Sequence, residues 1–342
     1  MSDVRVGVVG TGSLGFHHAR ILKSLPGARL VGIHDASEAR AAEVAATLET
    51  QAFADLRELL DRTDAVVVAV TTSAHEAVSV PALERGVHVL IEKPIAPTTD
   101  AADRILAAAQ EANALVQIGH VERFNAALRA CEPYIEEPMF VESHRLAPFG
   151  ARGTDVAVVL DLMIHDLDLV LSLMRRDVKT IAAVGVPVLT TSPDIANARL
   201  EFDGGGVANL TASRISMERM RKIRFFQRSG YISLDLAAGK GEFLRLKPGV
   251  SLEALQAAAA AAGSGGAAAS PFPAGLLSLI ERIPLQGVEG EPLALELASF
   301  IAAVRGDAPV PVTGDDGRRA LAVALEIIER IGRHIAGQQQ LA

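Results

Sequence analysis

The segment from Val158 to Met174 carries the residues with the clearest chemistry. Among Val, Leu, Ile and Met it contains four polar side chains that share one face, Asp161, His165, Asp168 and Ser172, and one charge away from that face, Asp166. In a helix, their spacing of i, i+4, i+7 and i+11 places them within roughly 60° of one another. Such an apolar helix is buried, and an unpaired buried charge costs about 3–5 kcal/mol. The pattern therefore predicts a carboxylate–imidazole pair facing a cleft.

In that cleft, His165 would exchange a proton with a substrate while Asp161 orients or tunes its imidazole. Two other interpretations stay open. The polar residues could form the solvent-exposed face of an amphipathic helix, although such faces are usually wider and carry Lys, Glu and Arg. They could also belong to a metal site, but this helix offers too few ligands. No metal is therefore expected.

Length and composition indicate a globular protein that does not bind nucleic acid. The 342 residues suffice for two domains, and 49% hydrophobic and 22% charged residues are ordinary values. A net charge of −8 disfavours binding to backbone phosphates, and the single cysteine, Cys131, excludes an intrachain disulfide. No apolar run reaches the roughly 18 residues of a membrane span, and the start lacks a signal-peptide pattern. We expect a cytoplasmic protein with no membrane partner.

The first third alternates short apolar strands with helices, which predicts a parallel sheet. The strand from Val4 to Val9 leads into Gly10-Thr11-Gly12-Ser13-Leu14-Gly15, and a helix is predicted from Phe16 to Leu25. In a dinucleotide-binding fold, Gly10 would permit a tight turn, Gly12 would let the backbone approach a pyrophosphate, and Gly15 would let helix and strand pack closely. The alternative is a glycine-rich turn without a ligand.

The acid Asp35 lies 20 residues beyond Gly15, after a predicted strand from Arg29 to His34. At this spacing a carboxylate meets the ribose hydroxyls of the adenosine. It would repel a 2′-phosphate, and no arginine is adjacent, so NAD is favoured over NADP. Arg40 is close enough in sequence that NADP is not excluded.

Polar clusters also follow two later strands, at the edge where open parallel sheets bind ligands. Thr71, Thr72 and His75 follow the strand from Ala65 to Val70, and Glu92 and Lys93 follow the strand from Val87 to Ile91. Lys93 could stabilise a developing alkoxide or lower the pKa of a bound hydroxyl; the alternative is an exposed lysine in a turn. The predicted cofactor-binding residues are Gly10, Gly12, Ser13, Leu14, Gly15, Asp35, Thr71, Thr72, His75, Glu92 and Lys93.

The rest of the chain predicts an α+β unit with a mostly antiparallel open sheet, following the N-terminal α/β Rossmann domain. We place the two domains at residues 1–120 and 121–342, with C-terminal helices that could pack back on the first domain. Gly204-Gly205, between two strand-like runs, predicts a hairpin. The Ala-, Gly- and Ser-rich residues 256–270 are interpreted as a mobile excursion without chemistry. The predicted strands run from Phe140 to Leu146, Thr180 to Val188, Ile195 to Phe202, Gly206 to Ser213, Arg221 to Gln227 and Gly230 to Asp235.

Taken together, the motifs resemble those of the Gfo/Idh/MocA oxidoreductases over essentially the whole chain. They are GTGSLGFHHA from Gly10, Thr71-Thr72-Ser73-x-His75, Glu92-Lys93-Pro94 and Asp161-x-Met163-x-His165-x-x-Asp168. The resemblance implies an NAD(P)-dependent oxidoreductase acting on CH–OH groups, with Lys93, Asp161 and His165 around the reacting carbon. It also implies a homo-oligomer, a dimer or tetramer. Met163 stands where the family often has Gly, so we expect changed packing there with retained chemistry.

Four shorter stretches resemble a bacterial subgroup of this family that is associated with lipid A sugar modification. They are GHVERFN from Gly119, ESHRL from Glu142, RGTDV from Arg152 and ANAR from Ala196. Members of the subgroup oxidise the 3-hydroxyl of UDP-N-acetylglucosamine, and a partner aminotransferase then installs nitrogen at that carbon.

The nucleotide-sugar interpretation predicts substrate-binding residues among these stretches, namely Arg123, Asn125, Arg145 and Arg152. Arginine can pair with a pyrophosphate, and ordinary surface charge is the alternative. Two other functions stay open for the whole chain. One is an inositol or simple aldose dehydrogenase, and the other is a non-catalytic NAD-dependent sensor.

Overall fold

The computed structural model describes residues 2–150, 156–262, 278–287 and 290–339. The strands are β1 Val4–Val9, β2 Ala28–His34, β3 Ala65–Val68, β4 His88–Glu92, β5 Val116–Gly119, β6 Phe140–Leu146, β7 Val178–Val186, β8 Ile195–Phe202, β9 Val207–Ser213, β10 Met220–Gln227, β11 Gly230–Asp235, β12 Lys240–Leu246 and β13 Ile280–Gln286. The α-helices are α1 Ser13–Leu22, α2 Glu38–Leu48, α3 Leu56–Leu60, α4 His75–Leu83, α5 Thr99–Ala112, α6 Ala126–Cys131, α7 Ile164–Met174, α8 Leu252–Ala262, α9 Pro292–Val304 and α10 Gly314–Gln339.

The first five strands form the predicted parallel sheet, in the order β2-β1-β3-β4-β5. Every residue of β3 and β5 is buried, as the continuous apolar runs indicated. Because all five strands run in one direction, the residues after β1, β2, β3 and β4 meet at one edge. The Rossmann-type α/β fold is thus confirmed.

The remaining strands form one eight-stranded sheet, in the order β13-β12-β11-β10-β6-β9-β8-β7. All its pairings are antiparallel except that of β6 with β9. Buried and less buried residues alternate along β6 and β8, so the sheet has one face against the core. The hairpin at Gly204-Gly205 is confirmed, and both glycines have positive φ angles, +80° and +92°.

Several predicted boundaries differ from the structure. Helix α1 begins at Ser13, directly after Gly12, rather than at Phe16, because the glycine-rich turn itself supplies the helix start. Strands β12 and β13 were not predicted, and Pro284 obscures β13, where a proline is tolerated because the strand lies at the sheet edge. The segment 256–270, interpreted as mobile, is helical as far as Ala262, as its alanines favour; residues 263–270 lie outside the described ranges.

The predicted single helix over 158–174 has two parts. Val159–Met163 forms a π-helical turn, and α7 continues from Ile164 to Met174. Asp168 is only 1% exposed, so the solvent-face interpretation of the polar residues is wrong at this position. Single π-helical turns inside α-helices occur frequently at functional sites.

The two C-terminal helices connect the sheets. Leu297 and Phe300 of α9 are fully buried in the core that contains β1 and α1. On α10, Ala324 and Ile327 pack in the core of the second sheet, while Leu321 packs in the core beside β4 and β5. Residues from both sheets are therefore held by the same helical layer.

A buried carboxylate fixes the loop between β7 and β8. Asp194 is fully buried, and its Oδ2 accepts hydrogen bonds from the backbone N–H groups of Val188, Leu189 and Thr190 at 2.6–3.0 Å. The guanidinium of Arg214 lies 3.6 Å from Oδ1. These bonds lower the pKa of Asp194 to about 2, although removal from water alone would raise it.

We expect Asp194→Ala to lower the free energy of unfolding by about 3–5 kcal/mol, because it removes the buried carboxylate beside the buried Arg214 guanidinium and the shared acceptor of three main-chain N–H groups. Urea denaturation measures this change. Asp203→Ala, at the exposed β8–β9 turn, is the control and should change stability by less than about 0.5 kcal/mol. Equal stability of the two variants would contradict the assignment.

Candidate active site

The carboxyl ends of the parallel strands enclose a cleft of about 660 Å³. Its lining residues are Val9, Gly10, Gly12, Ser13, Leu14, His34, Asp35, Ala36, Ala69, Val70, Thr71, Ala74, Val78, Glu92 and Lys93. All the predicted cofactor-binding residues are among them except Gly15, Thr72 and His75. The strand-end rule therefore located this cleft from sequence.

The three motif glycines have different surroundings. Gly10 has a φ of +88°, and a Cβ there would lie 2.6 Å from the carbonyl oxygen of Ala69. A Cβ on Gly15 would lie 1.8 Å from the carbonyl oxygen of Gly10, whereas a Cβ on Gly12 would have no described heavy atom within 4 Å. Packing thus requires Gly10 and Gly15, while the open space at Gly12 fits a pyrophosphate approaching the backbone and the start of α1.

Asp35 is held in position in the wall of the cleft, directly after β2. Its Oδ2 accepts from the N–H of Thr11 at 2.6 Å, and its Oδ1 accepts from the N–H of Ser37 at 2.9 Å. Partial burial would raise the pKa of Asp35, but these hydrogen bonds lower it overall. The carboxylate is therefore charged at neutral pH and fits ribose hydroxyls. Arg40, which left NADP open, donates from Nε to the carbonyl oxygen of Thr11.

His75 lies beneath the cleft rather than in its wall. It is 1% exposed, its Nδ1 lies 3.0 Å from the carbonyl oxygen of Pro94, and its Nε2 lies 3.3 Å from that of Val70. The ring therefore joins the loops after β3 and β4. Burial lowers the pKa of His75, so the ring is neutral at pH 7. A direct contact of His75 with the cofactor stays a prediction, as it does for Thr72.

Lys93 connects the cofactor cleft to the second sheet. It follows β4, its peptide bond to Pro94 is cis, and its Nζ donates to the main-chain oxygen of Asp161 at 2.8 Å. Burial lowers the pKa of Lys93, while the negative charges of Asp161 and Glu92 oppose that effect. Asp161 thus neighbours the lysine, and no hydrogen bond between described residues joins it to His165 as the helical spacing suggested.

His165 lies among positive groups. Removal from water lowers its pKa well below the usual value, and the charges of Lys93, Arg145 and Arg221 lower it further. The ring is partly exposed, but its Nδ1 is buried without a hydrogen-bond partner among the described residues. His165 is therefore a neutral imidazole at pH 7, the form that accepts a proton.

The predicted substrate-binding residues are already engaged within the protein. Arg123 binds both carboxylate oxygens of Asp168, at 2.6 and 2.8 Å. Arg145 is 4% exposed and bonds to Asp166 and Glu122. The amide Nδ2 of Asn125 donates to the carbonyl oxygen of Leu236 at 2.8 Å. Arg152 lies outside the described residues, so substrate contacts by all four stay predictions.

Sequence reasoning missed two residues whose charges act on His165. His120 is 1% exposed, and neither ring nitrogen has a hydrogen-bond partner among the described residues. Arg221, on β10, lies 3.5 Å from Glu122 and is partly exposed. His120 stands directly after β5, so the strand-end rule could have found it. No sequence signal distinguished Arg221 from the other basic residues of β10.

A cleft at the ends of parallel strands, with a glycine-rich turn, a charged Asp35 and Lys93 in its wall, is typical of a dinucleotide-dependent dehydrogenase. The chain belongs to the Gfo/Idh/MocA family. Residues 4–120 match the family described as an oxidoreductase family with an NAD-binding Rossmann fold, and residues 107–233 match the GFO/IDH/MocA C-terminal domain. The protein is thus an oxidoreductase with NAD as its cofactor.

Three relatives illustrate the range of similarity. UDP-N-acetylglucosamine 3-dehydrogenase from Acidithiobacillus ferrooxidans is 36% identical over 96% of this chain and 97% of its own. Its solved structure gives a TM-score of 0.84 over 97% of this chain and 98% of that one, at 34% identity. An inositol 2-dehydrogenase/D-chiro-inositol 3-dehydrogenase from Shouchella clausii is 37% identical over 48% of this chain and 51% of its own. Scyllo-inositol dehydrogenase from Lactobacillus casei, solved with NAD(H) and scyllo-inositol, gives a TM-score of 0.74 over 97% of this chain and 98% of that one; at 17% identity it supports the fold alone.

Within the described ranges, every helix is too short or too polar to cross a membrane.

The surroundings of Gly12 and Gly15 predict different effects on stability when a methyl group is added at each position. Gly12→Ala should leave the melting temperature nearly unchanged, because its Cβ enters open space and its φ of −59° suits alanine. It should weaken NAD binding about tenfold, or about 1.4 kcal/mol, by obstructing the pyrophosphate. Calorimetric titration measures the affinity. Gly15→Ala should instead lower the melting temperature, and an unstable Gly12→Ala protein would contradict this interpretation.

Proposed function

We propose that this enzyme oxidises the 3-hydroxyl of UDP-N-acetylglucosamine, with NAD as the hydride acceptor. The similarity to the Acidithiobacillus ferrooxidans enzyme supports this proposal because it extends through both sheets, over 96% of the chain. The similarity to the Shouchella clausii inositol enzyme spans 48% of the chain. Since the second sheet carries the helix of His165, full-length similarity is the observation that favours a nucleotide sugar.

In the proposed reaction, bound NAD supplies the redox chemistry by accepting hydride from the sugar carbon. His165 removes the proton of the hydroxyl group, because its imidazole is neutral and partly exposed. Lys93 stabilises the negative charge that develops on the oxygen. Asp161 positions Lys93 through its main-chain oxygen and keeps the ammonium charged through its carboxylate.

The positive surroundings of His165 have two effects in this scheme. They make the free imidazole a weak base, because its protonated form would be repelled by Lys93 and Arg145. They also stabilise an alkoxide on the substrate, which lowers the pKa of the hydroxyl that must lose its proton. Proton transfer therefore becomes favourable only when a substrate oxygen lies beside Lys93.

Arg221 is a further candidate to bind the diphosphate of the substrate, in addition to the predicted Arg123, Asn125, Arg145 and Arg152. Its side chain is 44% exposed, whereas that of Arg145 is 4% exposed and shared between two carboxylates. An exposed guanidinium loses less interaction free energy than a buried one when it leaves a carboxylate to bind a phosphate.

The wider context belongs to the same proposal. We place a Rossmann domain at residues 1–120 and a substrate-binding and oligomerisation domain at 121–342, with a homo-oligomer formed through the outer face of the second sheet. The 3-keto product would pass to an aminotransferase in the modification of lipid A sugars, in the cytoplasm.

The second candidate is an inositol or aldose dehydrogenase, which the Shouchella clausii similarity favours. A non-catalytic NAD sensor would have no need for Lys93, Asp161 and His165 together.

His165→Asn should lower kcat by about 10²- to 10⁴-fold while leaving NAD affinity nearly intact, because the residue removes a proton and lies outside the cofactor cleft. Steady-state kinetics and calorimetry measure the two quantities separately. His334→Asn, near the end of α10 and away from the cleft lining, is the matched control and should retain activity. Comparable loss of turnover and NAD binding in His165→Asn would refute the role.

The substrate is tested by NADH absorbance after mixing enzyme, NAD and UDP-N-acetylglucosamine with a carbonyl trap, because formation of the ketone can be uphill. A steady rise that free N-acetylglucosamine and myo-inositol do not reproduce is expected. No rise, with NAD binding shown by calorimetry, would remove this substrate and leave the cofactor. A faster rate with inositol would favour the second candidate.

A further inference from the structure

Three titratable side chains from three elements meet in the interior behind the cofactor cleft. His18 comes from α1, Glu92 from the end of β4 and Glu296 from α9, and one nitrogen or oxygen atom of each lies within 4.8 Å of the others. His18 and Glu296 are fully buried, and Glu92 is 7% exposed where it lines the cleft. The catalytic scheme uses neither His18 nor Glu296.

The hydrogen bonds within this cluster are incomplete. His18 Nε2 lies 2.7 Å from Oε1 of Glu92, and Oε2 of Glu92 accepts a longer bond from the N–H of Lys93 at 3.3 Å. Neither carboxyl oxygen of Glu296 has a hydrogen-bond partner among the described residues. The main-chain oxygen of Glu296 accepts from Nε2 of Gln117 at 3.2 Å, so this turn of α9 is anchored to β5.

Electrostatics decides which of the two carboxyl groups carries a charge. Ionising two carboxyl groups within 4.8 Å of each other in a buried site costs much free energy. One of the two therefore keeps its proton. Glu92 has His18 and the N–H of Lys93 as donors, whereas Glu296 has neither. The negative charge therefore belongs on Glu92. A protonated Glu296 has a hydrogen to donate, and the Glu92 carboxylate, with an oxygen within 4.8 Å of one of its own, is a neighbouring group that can accept it.

We propose that Glu296 is a positioning residue of the active site, which remains a neutral carboxylic acid and, with His18, holds the Glu92 carboxylate on the wall of the cofactor cleft beside Lys93. Glu92 in turn helps to keep the Lys93 ammonium charged. The effect on catalysis rests on the proposed role of Lys93, whereas the protonation of Glu296 can be tested without any substrate.

The charges around Glu296 are consistent with a neutral acid. Burial, and after it the charge of Glu92, raise the pKa of Glu296 well above its ordinary value. The other titratable groups on the packed elements are His18, Lys93 and His120, together with the exposed His17 and with Arg20, which pairs with Glu291. Two more, on the turn that packs against α9, are already paired: Glu122 with Arg145, and Arg123 with Asp168.

Thermal stability against pH tests the protonation state. An acid with a raised pKa in the folded protein contributes stability below its unfolded pKa of about 4.3, and this contribution is lost as pH rises. Glu296→Gln cannot ionise, so its melting temperature relative to the wild type should rise steadily from pH 5 to pH 9. Glu291→Gln, at the exposed start of α9, is the matched control and should show no such rise. A Glu296→Gln protein less stable than the wild type at pH 8 would overturn the proposal.

Kinetics test the positioning role. Glu296→Gln retains a donor and should keep kcat within about twofold with an unchanged pH–rate profile. Glu296→Leu has no donor and should lower kcat about tenfold and shift the limb of the profile that reports Lys93, with a smaller change in the KM for NAD. An unshifted pH–rate profile in Glu296→Leu would show that Glu296 has only a structural role and would contradict the proposal.

Metal analysis of the dialysed wild-type enzyme separates the proposal from a metal site. The same three side chains could supply ligands to a divalent cation, which needs an ionised Glu296. The proposal expects no stoichiometric metal. One bound divalent ion per chain, lost in Glu296→Gln together with stability, would overturn it.

Discussion

The hydrogen bond from Nζ of Lys93 to the main-chain oxygen of Asp161 is the contact on which the active site depends. It joins the edge of the parallel sheet to the helix that packs on the second sheet. Asp161 lies in a π-helical turn, and its carbonyl oxygen is reached by a side chain from outside the helix. The C-terminal helices already hold the two sheets together, and this bond brings the lysine at the edge of the cleft into contact with the helix that carries His165.

The carboxylates that neighbour His165 on α7 are paired with arginines, so they do not offset the positive charges around its ring. The two carboxylates of α7 are neutralised by arginines from elsewhere in the chain, Asp166 by Arg145 and Asp168 by Arg123. Removing one partner of such a buried pair would leave a charge in a poorly solvated place, which is strongly destabilising. Both arginines therefore stabilise the fold, and the charge of Arg145 also lowers the pKa of the His165 imidazole. Structure and chemistry cannot be separated at these residues.

The two sheets divide the tasks of the enzyme. The parallel sheet presents backbone groups, the charged Asp35 and the open space at Gly12, and these features suit NAD whatever the substrate. The second sheet supports the helix that carries His165. The sequence similarity to the Shouchella clausii inositol enzyme covers about half of the chain, whereas the similarity to the nucleotide-sugar enzyme covers nearly all of it.

The sequence by itself determined the parallel sheet, the glycine-rich turn, Asp35 and the strand-end clusters, because apolar runs, glycine conformation and strand direction act locally. Only the tertiary structure decided the partners: Lys93 bonds to a residue 68 positions away, and Arg145 to one 21 positions away. The helical spacing paired Asp161 with His165, but the structure places it beside Lys93. The chain contains 33 basic and 41 acidic residues, so spacing cannot say which of them meet. That choice follows from packing two sheets and the helices between them, where buried charges must find partners.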